Sequence, residues 1–397
     1  MSEGLGRQVS DGVRRRGMLF IGIAAGCVSF VLAIQMGLNP KFLADDLHFQ
    51  GMDVGVLEAV RESCGIMALG VLAALAGLAE PLVGMAMLVL LGVGIAGYSH
   101  VGSLGWIIPM SLVWSMGLHV WMPLPSSMTL AMAEPEKRGH RLGQIQAAGA
   151  AGFCVALGLL LVLTYIGKPM RLFYIIAGVV ALVGAVACLW IPRNIKTPGP
   201  RLVFRKKYWL YYVLNLLEGW RKQIAIAFAG FMLAKIYDAD LTTLLLLIGV
   251  PQVLIYFGSG AVGKLIDRVG ERKILLFYYA SLVFFFLGYA LIPNKYVLYG
   301  IYVMDNTFFV FAMAISTYAS AIVPKEELTP TFSMGVAMNH VAAVTMPLVG
   351  GLMWAYWGYQ WTFLAGALAA GLSVVVATRV PIRAEHMAAE SAPPSEY

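Results

Sequence analysis

Apolar residues run in long unbroken stretches along this chain, separated by short charged or turn-rich segments. The stretches do not alternate with period two, which sets aside a transmembrane barrel. A helix crosses the hydrocarbon with roughly 20 residues at about 1.5 Å each. Runs of that kind fall at 17–38, 52–76, 81–98, 104–131, 142–164, 172–191, 208–233, 241–263, 274–292, 297–322, 332–354 and 360–378, giving twelve predicted spans. The weakest break lies near Glu80 and Pro81, between the second and third.

Composition agrees with the pattern. Of 397 residues, 60% are hydrophobic and 12% charged, against about 25% charged in soluble domains. So much apolar surface needs lipid as its solvent. The 43 glycines suit closely packed membrane helices. Cys27, Cys64, Cys154 and Cys188 lie inside apolar runs without paired spacing. They are expected to act as small hydrophobes, with no disulfide frame and no metal site. A phosphate-binding loop, metal-ligand spacing and a nucleophile elbow are all missing from the sequence. ATP drive, an enzyme and a bound cofactor are therefore not expected.

Lysine and arginine placement sets the orientation. Of 28 such residues, twenty fall on the side of the N-terminus, and five, Lys41, Lys168, Arg171, Lys235 and Lys295, fall on the other. Arg61, Arg221 and Lys222 lie within spans. Both termini are expected in the cytoplasm, with the protein in a cell inner membrane. The net charge of +7 follows from this bias and calls for no nucleic acid. Residues 1–16 form a cytoplasmic tail ending in Arg14, Arg15 and Arg16. A cleavable leader is the alternative, weakened by an apolar run of about 20 residues and no small-residue cleavage motif.

A basic, proline-bearing linker at 192–207 separates six spans at 17–191 from six at 208–380. A tail rich in Ala, Glu, Pro and Ser, predicted to be disordered, follows at 381–397. The halves echo each other, with Gly143 matching Gly335, Gly70-Val71-Leu72 matching Gly263-Lys264-Leu265, and Gly77 matching Gly270. Parallel halves of this kind are a transporter architecture.

The run Gly263-Lys264-Leu265-Ile266-Asp267-Arg268-Val269-Gly270-Glu271-Arg272-Lys273 resembles the G-x-L-A-D-R-x-G-R-K signature of the major facilitator superfamily. Glu271 departs from it, where a basic residue is usual. The segment from Glu134 through Lys137, Arg138 and Arg141 to Gly143 is similar to the loop between spans 4 and 5 in that superfamily. The resemblance implies an all-α membrane fold of two six-helix bundles rocking around a central cavity. It also implies a gating latch at Gly263, Asp267, Arg268, Gly270, Arg272 and Lys273. The first-half copy, Gly70 to Ala79, keeps the glycines but has lost the charges. On physical grounds Gly263 would permit close helix approach and Gly270 a sharp turn.

Charges inside spans are the remaining signal, since each costs roughly 2.5–3.5 kcal/mol at the bilayer centre on insertion scales. In span 7, Asn215, Glu218 and Lys222 share a face, with Arg221 beside them. Two cations against one carboxylate leave a local +1, suited to an anionic or zwitterionic solute. The plainer alternative is that Glu218 neutralises Arg221 while Lys222 snorkels. In span 2, Glu58, Arg61 and Glu62 leave one negative charge, as a proton-coupling site or as a structural ion cluster. Asp305 in span 10 is a coupling candidate or a partner of Arg221, Lys222 or Arg61, with helix capping as the alternative. His119 and Trp121 in span 4 are candidate solute contacts. Asn339 and His340 suit helix–helix hydrogen bonds. Trp354, Tyr356, Trp357, Tyr359 and Trp361 are expected to form an interfacial belt. Span 5 lacks the Gly-Pro core of the superfamily's drug-antiporter signature.

The expectation is a monomeric secondary transporter of a small organic solute, coupled to a proton or another cation. A drug or metabolite efflux antiporter is the first alternative. A non-transporting receptor or assembly factor is the second.

Overall fold

The computed structural model describes residues 10–75, 77–133, 138–195 and 204–381. The expected linker core at 196–203, Lys137 with its acidic neighbours, and nearly all of the C-terminal tail lie outside them. The described residues are helical and contain no strand. Among the described residues there are fifteen α-helices: α1 (Asp11–Lys41), α2 (Gly51–Ala74), α3 (Glu80–Gly97), α4 (Leu104–Trp121), α5 (Leu124–Met132), α6 (Arg138–Tyr165), α7 (Met170–Ala187), α8 (Trp209–Ile224), α9 (Gly230–Lys235), α10 (Leu241–Val269), α11 (Glu271–Leu291), α12 (Lys295–Phe308), α13 (Met313–Ile322), α14 (Lys325–Trp357) and α15 (Tyr359–Ala377). Each predicted span coincides with one of them or with a consecutive set. Ten helical runs among the described residues are long and apolar enough to cross a membrane. The other two, at α2 and at α8 with α9, carry the charges that set them apart.

Three predicted spans are interrupted. Span 4 breaks between α4 and α5, where Pro123 has no N–H to continue the ladder. Span 7 passes through a π-helical turn, Ala225–Ala229, directly after the charged stretch. Span 10 tightens into a 3-10 turn at Phe309–Ala312. At its other limit, α1 starts at Asp11, within the predicted tail.

Two compact units emerge: Met1–Phe49, Val56–Pro200 and Asp238–Leu246 form one, while Gln50–Gly55, Arg201–Tyr237 and Leu247–Tyr397 form the other. In the first unit α1 packs along α6 and α7, and α3 along α4 and α7. Close approach depends on missing side chains, since a Cβ on Gly152 would collide with the backbone of Gly26 across the α1–α6 contact. The second unit is built on α11 against α15 and α8 against α14. Its interior is aromatic, with Tyr278, Tyr279, Phe286, Tyr289 and Phe363 fully buried. Large apolar side chains such as Leu19, Phe284 and Leu368 face outward instead, as lipid requires.

The predicted aromatic belt divides. Tyr356, Trp357 and Trp361 are exposed. Trp354 instead turns inward, its ring 5.8 Å from Phe228 and 5.5 Å from Phe231. Tyr359 meets Phe363 edge to face at 6.4 Å.

Candidate functional site

The second unit encloses an ion cluster built from three helices. Residues 218 and 221 are one turn apart on α8, so both side chains point the same way. Both are buried, as is Asp305 on α12. The Arg221 guanidinium donates from Nη2 to Glu218 Oε1 at 2.5 Å and from Nη1 to Asp305 Oδ1 at 3.4 Å. From α11 the Tyr278 hydroxyl accepts from Arg221 Nη2 at 2.9 Å and donates to Glu218 Oε1 at 2.9 Å. Tyr289, three turns further along α11, donates to Asp305 Oδ2 at 3.5 Å. Charge-assisted hydrogen bonds of this kind are the stronger class, and a buried ion without them is costly.

Asp305 changes the expected charge balance. Glu218 and Asp305 together outweigh Arg221 by one, and Lys222 brings the four residues to zero. The local +1 inferred from span 7 by itself therefore does not stand in the folded unit. Both terminal nitrogens of Arg221 are engaged by its own chain, while its buried Nε has no hydrogen-bond partner among the described residues. Lys222 is half-buried, with its Nζ 5.1 Å from the centre of the Phe309 ring. Asn215 donates to the Tyr211 carbonyl at 2.9 Å, and its own carbonyl accepts from Asn339 Nδ2 at 3.3 Å. It thus joins α8 to α14.

The first unit holds a second cluster with the same Glu-x-x-Arg spacing. Arg61 Nη2 lies 2.6 Å from Glu58 Oε2 and 2.6 Å from Glu62 Oε1. His119 Nδ1 contacts the Ser115 carbonyl at 2.9 Å, which leaves Nε2 facing Glu62 Oε2 at 4.0 Å. The Ser115 hydroxyl donates to the Arg61 carbonyl at 2.8 Å, tying α4 to α2. Trp114 lies under the guanidinium at 5.8 Å and donates to the Tyr98 hydroxyl at 3.0 Å. His119 is thus brought to the carboxylates. Trp121 is not: it is buried and packs over Gly84, where even a Cβ would meet its ring.

Tyr278, Tyr289, Trp114 and Ser115 escaped the sequence reading. A hydroxyl or an indole in an apolar run carries no cost comparable to a charge, so nothing marked them. The three-turn spacing of Tyr278 and Tyr289 on one face of α11 was the available signal.

The predicted latch is only partly described. Gly270 adopts φ +89°, a conformation open to glycine, and joins α10 to α11 directly. Gly263 needs correction: among the described residues a Cβ there would meet nothing within 4 Å, so no close helix approach at Gly263 is found among them. Arg268 and Lys273 are exposed and Arg272 half-buried. The side chain of Asp267 lies outside the described residues.

A helical chain of these spans, carrying interior ion clusters in both units, defines a polytopic α-helical membrane protein of the carrier type. Residues 21–315 and 212–395 match the Major Facilitator Superfamily, and the chain belongs to that superfamily of transporters. It is not an enzyme. No curated protein matches the sequence significantly. Among solved structures, the nucleoside transporter NupG is 14% identical, with TM-score 0.71 over 95% of this chain and 99% of that one. A bacterial homolog of the human lysosomal transporter Spinster, inward-facing and unoccupied, is 12% identical, with TM-score 0.75 over 98% of this chain and 100% of that one. These likenesses establish the fold.

Proposed function

We propose that the protein moves a small organic solute by alternating access, driven by a proton gradient, with Glu218 and Asp305 as the coupling carboxylates. The observation that carries this reading is two buried carboxylates sharing one guanidinium within 3.4 Å in an apolar unit. A proton taken up by either carboxylate leaves a neutral pair, and its release restores a negative charge. Such a swing in charge is what coupling needs. The Glu58, Arg61 and Glu62 cluster has the same arithmetic and is the second candidate.

Lys222 supports an anionic or zwitterionic solute. It is a half-buried cation on the helix that bears Glu218 and Arg221. The lysine and arginine asymmetry supports an inner-membrane location with cytoplasmic termini, which reporter fusions at each end would test. Assembly as a monomer is part of the same proposal, tested by the mass of the detergent-solubilised protein.

A solute-library thermal-shift screen, with nucleosides among the candidates, identifies the ligand by mass action. Proteoliposomes with an imposed pH gradient then test the coupling. Glu218→Gln or Asp305→Asn should abolish gradient-driven accumulation of that solute while sparing solute exchange. Accumulation unchanged in both variants sinks the assignment.

The excess of carboxylate over arginine in both clusters favours a second reading, an efflux antiporter exchanging protons for lipophilic cations. Overexpression that raises resistance to unrelated cationic compounds would select it over the first.

A further inference from the structure

Helix α3 begins with a carboxylate that the transport reading does not use. Glu80 is fully buried. Its Oε1 accepts from the Ser127 hydroxyl of α5 at 2.6 Å, and its backbone N–H donates to the Ile195 carbonyl at 2.9 Å. Oε2 has no hydrogen-bond partner.

No cation among the described residues comes to Glu80. Helix α1 offers Arg14, which is engaged by Asp11 Oδ1 at 2.8 Å and the Met132 carbonyl at 2.9 Å. The turn after α7 offers the Cys188 thiol, and beyond it Arg193 is exposed. Helix α4 offers only Trp121, which covers Gly84 one turn away. Among the described residues an anion here would have one hydroxyl donor, one bare oxygen and no counter-ion. The N-terminal end of α3 favours negative charge, but that effect is small beside the desolvation of a carboxylate. A neutral acid loses far less.

We propose that Glu80 is a proton-binding site, distinct from both ion clusters, whose bound proton locks α3 to α5 and to the segment at Ile195. Ionisation introduces an uncompensated charge at that junction and loosens it. The folded protein then retains a proton that the unfolded chain gives up at ordinary acidity, so stability is present at low pH and is lost as pH rises. The proposal does not depend on any solute.

The test is thermal unfolding of the purified full-length protein in detergent, from acid to alkaline pH. The wild type should lose melting temperature as the pH rises. Glu80→Gln mimics the protonated acid, so it should match the wild type on the acid side and lack that loss. Ser127→Ala removes a donor that favours the anion and should move the wild-type midpoint to higher pH. A loss of the same size in Glu80→Gln, or an unmoved midpoint in Ser127→Ala, overturns the proposal.

Discussion

A guanidinium in the middle of a membrane helix has to be met by charge, and Arg221 is met twice. Glu218 and Asp305 lie on opposite arms of its fork, and Tyr278 closes the gap to Glu218. Removing the guanidinium leaves two buried carboxylates facing each other. Arg221→Ala should therefore cost about 3–5 kcal/mol, read as a lowered melting temperature in detergent. Neutralising one acid in the same chain, as in Arg221→Ala with Asp305→Asn, should return part of that loss. Arg221→Lys should not restore it, because an ammonium cannot reproduce the planar fork. The ionic members of both clusters were legible in the sequence, since charge in an apolar run is expensive enough to stand out. Their geometry was not. Which carboxylate meets Arg221 depends on the packing of α12 against the unit, and no local spacing between residues 221 and 305 encodes it. The same is true of His119, which spacing could only nominate and which packing delivers to Glu62.

At the scale of elements, hydrophobic run length carried nearly all the information. All twelve predicted spans occur as helix, because lipid leaves the backbone no other partner than itself. Interruptions were less visible. Pro123 marks the break between α4 and α5, but the π-helical turn at Ala225–Ala229 contains neither Gly nor Pro. It follows directly on the helix that bears Arg221, where π-turns characteristically accompany function. The corners are clearer. Gly270 joins α10 to α11 at φ 89° and ψ 153°, and Gly358 joins α14 to α15 at φ 96° and ψ 162°. That region is essentially restricted to glycine. Gly270→Ala has open space for its methyl group but not the backbone freedom. It should cost about 1–3 kcal/mol from backbone strain alone. A melting temperature equal to that of the wild type would show that the corner relaxes at no cost.

For the molecule as a whole, the sequence conveyed class and family through composition, span count and one loop signature. It could not convey how the residues before α8 are secured. Glu327 in the first turn of α14 accepts from the Tyr208 hydroxyl at 2.7 Å and pairs with Lys207 at 3.0 Å and Arg205 at 3.5 Å. The Tyr208 hydroxyl, followed by the ammonium of Lys207, holds the Glu327 carboxyl below its ordinary range. A carboxyl lowered on folding stabilises the protein above its unfolded value, and that contribution disappears as the pH falls through the folded one. Glu327→Gln should flatten the acid side of the melting curve and leave the neutral side slightly lowered. An acid limb as steep as that of the wild type would deny the tether its role.

The 33 residues of α14 extend for roughly 50 Å at the usual helical rise, and a hydrocarbon slab is only about 30 Å thick. A good part of the rod must therefore project beyond the slab, and its first turn bears the anchor of the incoming chain. That anchor stands in electrolyte, where counter-ions dilute its attraction. The grip on α8 is thereby adjusted by the salinity and acidity of the compartment it borders, while burial keeps counter-ions from diluting the attraction between Arg221 and its two carboxylates.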